Sequence, residues 1–349
     1  MNDRVKSEIP FVGLHAHSVA GSLFDALGYP PDHMDFCYEN GGDALALTDH
    51  GNANGLSHQV LHAKKMKEEG KNFKPIFGTE AYFIPSISDW RKEYEKALED
   101  KKRAKTLGSE LSGATVEDEN SSKKVQDVLR RRRHLILLAQ NQTGLQNIFK
   151  LISESYKSEN FYRYPRMDYD LLAKYGEGVI AASACLGGVY SGNYWENREA
   201  GEEAVLQAMR ETTRKMMSIF GDRWYGELQW NNVPEQHIIN KFIIQMHKEF
   251  GIGLVSTADS HYPSKDAWKD RELYKRLGWL GKAAPSYEST ELPIGVDEIG
   301  YELYPKNGDQ MWESYKKYSE ECGVDYDDDI VMKSITHTHE IAHQRIDDF

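Results

Sequence analysis

Seven short apolar runs, separated by segments of helical periodicity, constrain the fold of this chain more than any other feature. One helical segment opens at Pro30-Pro31, and two others end at Gly70 and Gly251, as helix-stop signals predict. Strand-length runs that alternate with helices are typical of β–α units and a parallel sheet, and their number favours a closed or nearly closed barrel. The predicted strands are residues 11–15, 44–48, 75–79, 135–139, 178–184, 224–230 and 254–258.

The composition is that of an ordinary globular protein. Of the 349 residues, 40% are hydrophobic and 28% are charged, which is enough to bury a sizeable core. No apolar run approaches the roughly 20 residues that span a bilayer, and the N-terminus lacks the apolar region of a signal peptide. Three scattered cysteines, Cys37, Cys185 and Cys322, cannot form a disulfide framework. We therefore expect a cytoplasmic protein with no membrane partner.

The net charge of −12 is concentrated near the C-terminus. The segment from Asp297 to Phe349 has 14 acidic and 5 basic side chains, so −9 of the charge lies there and −3 lies in the preceding residues. The acidic balance argues against a protein that coats nucleic acid without specificity, because such proteins present a positive field. The nearly neutral body is still compatible with an anionic strand bound at a cationic site.

Residues 86–133 interrupt the alternation of strands and helices. This stretch is dense in charge and poor in strand-forming residues, which predicts a solvated helical insertion with a flexible middle. The alternative is a basic arm that contacts phosphate. Its candidate phosphate contacts are Arg130, Arg131, Arg132 and Arg133.

Metal-ligand residue types stand at the ends of five of the seven predicted strands. The imidazoles of an H-x-H sequence share one face of a strand, and the C-terminal strand ends of a (β/α) barrel gather at one rim. Each residue has an ordinary alternative, such as a capping carboxylate for Glu80 or a small buried side chain for Cys185. Their recurrence at one structural position favours a multi-metal site for zinc, manganese or iron rather than magnesium alone. The residues are His15, His17, Asp25, His50, Glu80, Cys185, Asp259 and His261.

Several segments resemble those of a known family. They are LHAHS, LTDHG, KPIFGTEAYF, HLILLAQNQTGLQNIFKLISESY, IAASACLGG, FGDRWYGELQW and VSTADSHY. They are similar to the PHP (polymerase and histidinol phosphatase) domain, most of all to the branch at the N-terminus of bacterial C-family replicative polymerases, the DNA polymerase III alpha subunits. The resemblance covers roughly residues 8–280, and the C-terminal EIAHQRIDDF resembles the segment that leads toward the polymerase palm.

This resemblance implies a fold and a ligand set. The fold is α/β, a distorted seven-stranded (β/α)7 barrel of TIM-like form with a helical C-terminal extension, and it holds up to three divalent ions of zinc, manganese or iron. His134 becomes a ninth ligand mainly on the resemblance, because it lies at the front of its apolar run. The resemblance also implies Asp259, Glu80 and His261 as catalytic residues, with Glu80 bridging two ions. Asp49 would orient the neighbouring histidine or a bound water.

The implied function is that of a metal-dependent phosphoesterase of the 3′–5′ exonuclease type in DNA replication. Its substrate would be a DNA 3′ end. The chain would be either an excised domain or a stand-alone or split gene product, and in the split case a separate chain carrying the polymerase palm and fingers would be a partner. Two alternatives remain open, a stand-alone phosphatase acting on a small phosphate ester and a non-catalytic scaffold stabilised by metals. The expected organisation is a barrel over residues 1–280 and an acidic helical connector over residues 281–349.

A second H-x-H sequence lies near the C-terminus, at His337 and His339. No strand precedes it in the helical tail, so we expect no metal site there. The histidines outside the ligand set are predicted to be surface or packing residues. The others in this group are His33, His58, His62, His237, His247 and His343.

Overall fold

Eight strands and twelve α-helices occupy residues 4–110, 116–277 and 302–349, the parts of the chain that the computed structural model describes. The strands are Ala44–Leu47 (β1), Lys74–Phe83 (β2), Arg133–Ala139 (β3), Phe161–Tyr162 (β4), Tyr164–Met167 (β5), Val179–Ala182 (β6), Trp224–Gln229 (β7) and Gly253–Thr257 (β8). The helices are Pro30–Glu39 (α1), Leu56–Glu68 (α2), Ile87–Glu110 (α3), Val116–Arg130 (α4), Gln142–Ser155 (α5), Tyr169–Tyr175 (α6), Val189–Asn197 (α7), Glu202–Phe220 (α8), Pro234–Phe250 (α9), Trp268–Leu277 (α10), Gly308–Glu321 (α11) and Asp328–Glu340 (α12).

Six of the strands and one bridging segment form a distorted seven-membered barrel. The order is β1, β2, β3, β6, β7 and β8, and residues 11–16 lie between β8 and β1. In this segment Gly13 pairs with Leu45, and Ala16 pairs with Ser260 just beyond β8. The predicted seven-stranded α/β barrel is therefore confirmed.

The expectation of a wholly parallel sheet is wrong for β3. This strand runs antiparallel to both of its neighbours. Its Leu138 lies opposite Gly78 of β2, and its Ile136 lies opposite Ala182 of β6. The reason is the connection that precedes it. A connection with one helix takes the chain back to the end of the sheet where the previous strand began, so the next strand is parallel to it. The two helices α3 and α4 instead return the chain to the end where β2 finished, so β3 runs in the opposite direction.

Helix α5 shows how the local sequence produces these elements. Its N-cap residue Asn141 accepts a hydrogen bond from the Gly144 amide at 2.9 Å, which satisfies one of the free N–H groups of the first turn. Its apolar face buries Ile148 and Leu151 against the barrel. Capping fixes the start of the helix, and its apolar periodicity directs one face toward the barrel.

The charged insertion forms α3 and α4, which pack on each other. They have a small core of their own that includes Ala97, Val125 and Leu129. The Trp90 indole closes it by donating to the Val128 carbonyl at 2.9 Å. The insertion is thus held by buried apolar contacts as well as by its solvated charges.

The helices after residue 302 pack into the barrel. Val331 and Ile335 of α12 are fully buried in the same hydrophobic cluster as β7 and β8, and the Ser334 hydroxyl lies 2.7 Å from that of Ser256. A π-helical turn, Ile341–Arg345, follows α12. The predicted boundary between residues 280 and 281 lies outside the described residues. No helix of the described ranges is long and apolar enough to cross a membrane.

Candidate metal centre

The structure brings all nine predicted ligand residues into one cleft at the rim of the barrel. Each lies within 4.0 Å of another member of the set. Most follow the C-terminal ends of strands, as the barrel geometry predicts. The nine are His15 and His17 at the end of the bridging segment, Asp25 and His50 in the loops beside it, Glu80 on β2, His134 on β3, Cys185 after β6, and Asp259 and His261 after β8.

Asp259 lies at the centre of the first group of ligand atoms. Its Oδ1 is 3.0 Å from Nε2 of His15, 3.2 Å from Nε2 of His17 and 3.4 Å from Nδ1 of His261. The two imidazoles of the H-x-H pair themselves approach to 3.0 Å through their Nε2 atoms. One carboxylate oxygen therefore faces three ring nitrogens.

Glu80 lies at the centre of the second group and uses both of its oxygens. Its Oε1 is 3.3 Å from Nε2 of His15, whereas its Oε2 is 2.6 Å from Nδ1 of His50 and 3.1 Å from Nδ1 of His134. The Cys185 sulfur lies 4.0 Å from Oε1 and 3.8 Å from the His134 ring. The two oxygens thus face different histidines, which is the arrangement of a bridging carboxylate.

Asp25 lies at the centre of the third group, nearest the solvent. Its Oδ2 is 3.0 Å from Nε2 of His50 and 3.4 Å from Nε2 of His261. Arg271 of α10 fixes this loop, because its Nη2 donates to Oδ1 of Asp25 at 2.8 Å and its Nε donates to the Asp25 carbonyl at 2.7 Å. Sequence reasoning missed Arg271, and no local pattern identifies it.

The reversal of β3 explains the position of His134. This residue lies near the start of its strand, which in a parallel sheet would be the opposite end of the barrel from the other ligands. Because β3 is antiparallel, its start lies at the rim where β2 ends, and His134 pairs with Tyr82. A bridge to Gly188 also fixes it beside the loop of Cys185.

Three buried atoms of the cleft have no hydrogen-bond partner. They are Nδ1 of His50, Oε2 of Glu80 and Oδ1 of Asp259. Two of them lie only 2.6 Å apart, yet their directions do not meet hydrogen-bond geometry. Burying unpaired polar atoms is costly, and lone pairs that converge on a common point suit a cation.

The ligand atoms also fall into overlapping sets of the size that a metal ion needs. In each set the atoms lie within 4.8 Å of one another, and the sets share members, so neighbouring ions would share ligands. The residues therefore fit a multi-metal centre. The sets are His15, His17 and Glu80; His50, Glu80 and His134; and His17, His50 and His261.

The protonation states follow from burial and from the opposite charges. Burial lowers the pKa of His17 to about 3, and His50 and His261 reinforce the effect, so its ring is a neutral donor of electron pairs. Burial raises the pKa of the Cys185 thiol, so a cation is needed to form the thiolate. Burial opposes ionisation of Glu80, but the histidines outweigh it and hold its pKa well below the ordinary value.

Backbone strain is concentrated at the same cleft. Asp259 has a positive φ of 49°, and Ala184 and Phe24, which precede two other candidate ligands, have φ values of 60° and 62°. A non-glycine residue in this region costs about 1–3 kcal/mol and is retained where the surrounding structure requires it. The strained residues thus lie at or directly before three candidate ligands.

Asp49 lies behind the cleft and contacts two serines. Its carboxylate accepts hydrogen bonds from the Ser18 amide at 2.7 Å and from the Ser22 hydroxyl at 2.8 Å. That hydroxyl lies 3.3 Å from Nδ1 of His17 and accepts from the His50 amide at 3.2 Å. Asp49 is therefore linked to His17 and His50 by hydrogen bonds through the Ser22 hydroxyl.

Glu227 on β7 contacts the candidate ligand His15, and sequence reasoning missed it. Its Oε1 lies 2.7 Å from Nδ1 of His15, and Gln229 and Thr257 donate to the same oxygen. A carboxylate behind a ligating histidine fixes the ring and raises its basicity. A charged residue within a fully buried strand, WYGELQ, was a usable signal.

The four consecutive arginines do not form one patch. Arg131 makes a bidentate pair with Glu93 at 2.6 and 2.9 Å, and Arg133 pairs with Glu196. Arg132 is the member next to the cleft. Its guanidinium lies over the Tyr164 ring at 3.9 Å and over the Tyr82 ring at 5.4 Å, and the Tyr82 ring lies 5.6 Å from that of His134.

The chain is similar in sequence to known proteins. The family model of the PHP domain matches residues 13–231. The DNA polymerase III subunit alpha of Aquifex aeolicus is 37% identical over 252 residues, which are 72% of this chain and 18% of that protein. The corresponding subunit of Deinococcus radiodurans is 33% identical over 305 residues, which are 86% of this chain and 19% of that protein. The chain thus spans about a fifth of the length of these relatives.

A solved structure of an amidohydrolase from Chromobacterium violaceum is a more distant neighbour. It has a TM-score of 0.36 and 14% sequence identity, and the match covers 75% of this chain and 96% of that one. Similarity at that level carries no argument about function.

Proposed function

Because the chain belongs to the PHP domain family, we propose that it is a metal-dependent phosphoesterase that hydrolyses phosphodiester bonds at the 3′ end of DNA. In this proposal it is a module of a polymerase related to DNA polymerase III alpha, with the palm and fingers on other residues or on a separate chain. The observation that carries the proposal is the cleft itself, in which nine ligand-type side chains surround unpaired buried carboxylate oxygens.

The nine residues would hold up to three divalent ions of zinc, manganese or iron. Such ions neutralise phosphoryl oxygens and lower the pKa of water, which is what hydrolysis of a phosphodiester requires. Glu80 would bridge two of them, which is supported by its two oxygens facing different histidines. Asp259 would be a ligand shared by the histidines around it, and His261 would complete the outer position with Asp25.

The chain's own residues hold these groups in place for the reaction. Glu227 fixes the tautomer of His15 by accepting the proton on Nδ1, which leaves Nε2 free to ligate. Arg271 neutralises part of the charge of Asp25 and holds its loop against α10. The neutral ring of His17 needs no proton transfer before it ligates.

The rim of the cleft has features suited to a polynucleotide. Phe24, next to Asp25, is 45% exposed and stacks on Tyr274 with 5.4 Å between ring centroids. Arg132 lies over Tyr82, whose ring is 5.6 Å from that of the candidate ligand His134. Aromatic faces and a cation near a phosphate site suit stacked bases and a backbone phosphate. This supports a DNA end rather than a small phosphate ester.

The test is hydrolysis of a 5′-labelled single-stranded oligonucleotide in the presence of Mn²⁺ or Zn²⁺. We expect stepwise shortening from the 3′ end by the wild type and by Asp266→Asn, an exposed control. We expect none by Asp259→Asn, because its oxygen faces three ring nitrogens.

Two results would contradict the proposal. Turnover of p-nitrophenyl phosphate without any shortening of DNA would indicate the small-molecule phosphatase. Metal binding without turnover of either substrate would indicate the scaffold.

A further inference from the structure

A second cluster of ligand-type side chains lies at the opposite end of the barrel. Asp43 immediately precedes β1, whereas the cleft residue His50 follows β1, so the strand separates the two places. Asp43 faces His339, near the end of α12, and His343, in the π-helical turn. We propose that these three residues bind a zinc-type divalent ion that fastens the C-terminal helix to the barrel.

The geometry of the three side chains is that of a small chelate. His339 and His343 are four residues apart, so successive turns present both rings on one side, with 4.4 Å between centroids. Nε2 of His343 lies 3.2 Å from Oδ1 of Asp43, and Nε2 of His339 lies 3.6 Å from Oδ2. Their ligand atoms all lie within 4.8 Å of one another.

The donor set determines the class of ion. Two imidazoles and one carboxylate are ligands for zinc, cobalt, nickel or copper, and they leave at least one position for water. The three side chains are about a third exposed, between 31% and 39%, so an ion and its water can enter without unfolding the chain. In the described part of the chain, the ion pairs of Asp43 are made with these two rings.

The position indicates what the ion does. It joins residues that are 300 apart in sequence, and restricting so long a loop stabilises the folded state. Lys74, at the start of β2, fastens the next residues by donating to the Ile346 carbonyl at 2.6 Å and pairing with Asp348 at 2.8 Å. The ion would add a stronger link at the same junction.

The proposal includes one histidine of the C-terminal H-x-H sequence, His339, where the sequence analysis expects no metal site. The H-x-H pair does not act together, because the ring of His337 instead contacts the Leu254 carbonyl at 3.1 Å and the Tyr225 ring. The spacing that matters is the one between His339 and His343, which a helix rather than a strand brings to one face.

The test compares zinc binding and thermal stability in the full chain. His343→Gln and Asp43→Asn should each bind one equivalent of Zn²⁺ fewer than the wild type and lose part of the zinc-dependent rise in Tm. His58→Gln, an exposed histidine on α2, is the matched control and should behave as the wild type. Hydrolysis should be unchanged in all three, so failure here is distinct from failure of the proposed function.

An unchanged zinc stoichiometry in His343→Gln and Asp43→Asn would overturn the proposal. Should either variant fail to fold, zinc-soaked crystals of the wild type decide the question. Anomalous density between Asp43 and the two rings is expected, and occupied positions in the cleft with none here would overturn the proposal.

Discussion

Two of the carboxylates that organise the cleft, Glu80 and Asp259, are buried among histidines that compensate their charge. Glu80 and Asp259 are 1% and 8% exposed, and a carboxylate at that depth must be paired. In the metal-free chain, the protonated ring of His15 supplies part of the compensating positive charge. Burial would lower its pKa, but Asp259 and Glu227 outweigh burial and hold that pKa well above the ordinary value. A bound cation would take over this role and release the proton.

At this scale Glu227 offers a test of how the His15 ring is held. In Glu227→Gln the amide can present the wrong hydrogen-bonding group to Nδ1, so the ring loses its preferred tautomer. We expect metal affinity to fall about 10–100-fold, the usual effect of such outer partners. A competitive chelator titration measures it. Glu211→Gln on the exposed face of α8 is the control, and equal affinities in the two variants would contradict this role.

His33 predicts a dependence of stability on pH. Its ring is fully buried and donates to the Leu27 carbonyl at 2.9 Å, and burial lowers its pKa to about 4. Between that value and its unfolded pKa of about 6.5 the unfolded state binds the proton better, so stability is present above pH 6.5 and is lost toward pH 4. The loss should reach about 3 kcal/mol.

Urea denaturation at pH 7 and pH 4.5 measures this contribution. The free energy of unfolding should decline less with acid in His33→Gln than in the wild type, after both are referenced to pH 7. Equal declines would show that His33 does not contribute.

At the scale of elements, the sequence was sufficient for the members of the barrel, but it missed the short strands β4 and β5 and could not give the strand directions. Periodicity located all seven barrel members, because each is an apolar run between helix signals. The reversal of β3 was not visible, since an apolar run reads the same in either direction. His134 was therefore assigned to the site by resemblance, and only the pairing of β2 with β3 gives the physical reason.

Helix α5 offers a test of packing between elements. A Cβ atom at Gly144 would lie 1.7 Å from the Gly178 carbonyl oxygen, a backbone atom that cannot move aside cheaply. Gly144→Ala should cost about 3 kcal/mol or more of unfolding free energy. In Gly70→Ala the new Cβ meets open space and only the positive φ of 76° is penalised, at about 1–2 kcal/mol. Urea denaturation compares them, and equal losses would contradict the close approach.

At the scale of the whole molecule, the acidic C-terminal region is part of the barrel's packing. Composition predicted a connector, because 14 acidic side chains dominate its sequence. The apolar residues of this region indicate that it packs on the barrel. One hydrophobic cluster contains barrel-strand residues together with Met311, Tyr315, Val331 and Ile335. The charge lies on the outer faces of helices whose inner faces are buried.

Ile335→Ala tests this integration. The side chain is fully buried, so its removal should cost about 2–5 kcal/mol in a single cooperative transition. Lys333→Ala on the exposed face of the same helix should cost far less. A separate early transition, with the barrel unaffected, would show that the C-terminal helices fold independently.

The most direct test of the central claim is the metal content of the cleft, determined by mass spectrometry after zinc or manganese loading and gel filtration. Our account predicts that the wild type retains about two more equivalents than Glu80→Ala, because two neighbouring ions share that carboxylate. A difference below one equivalent between the two proteins, with both correctly folded, would contradict it.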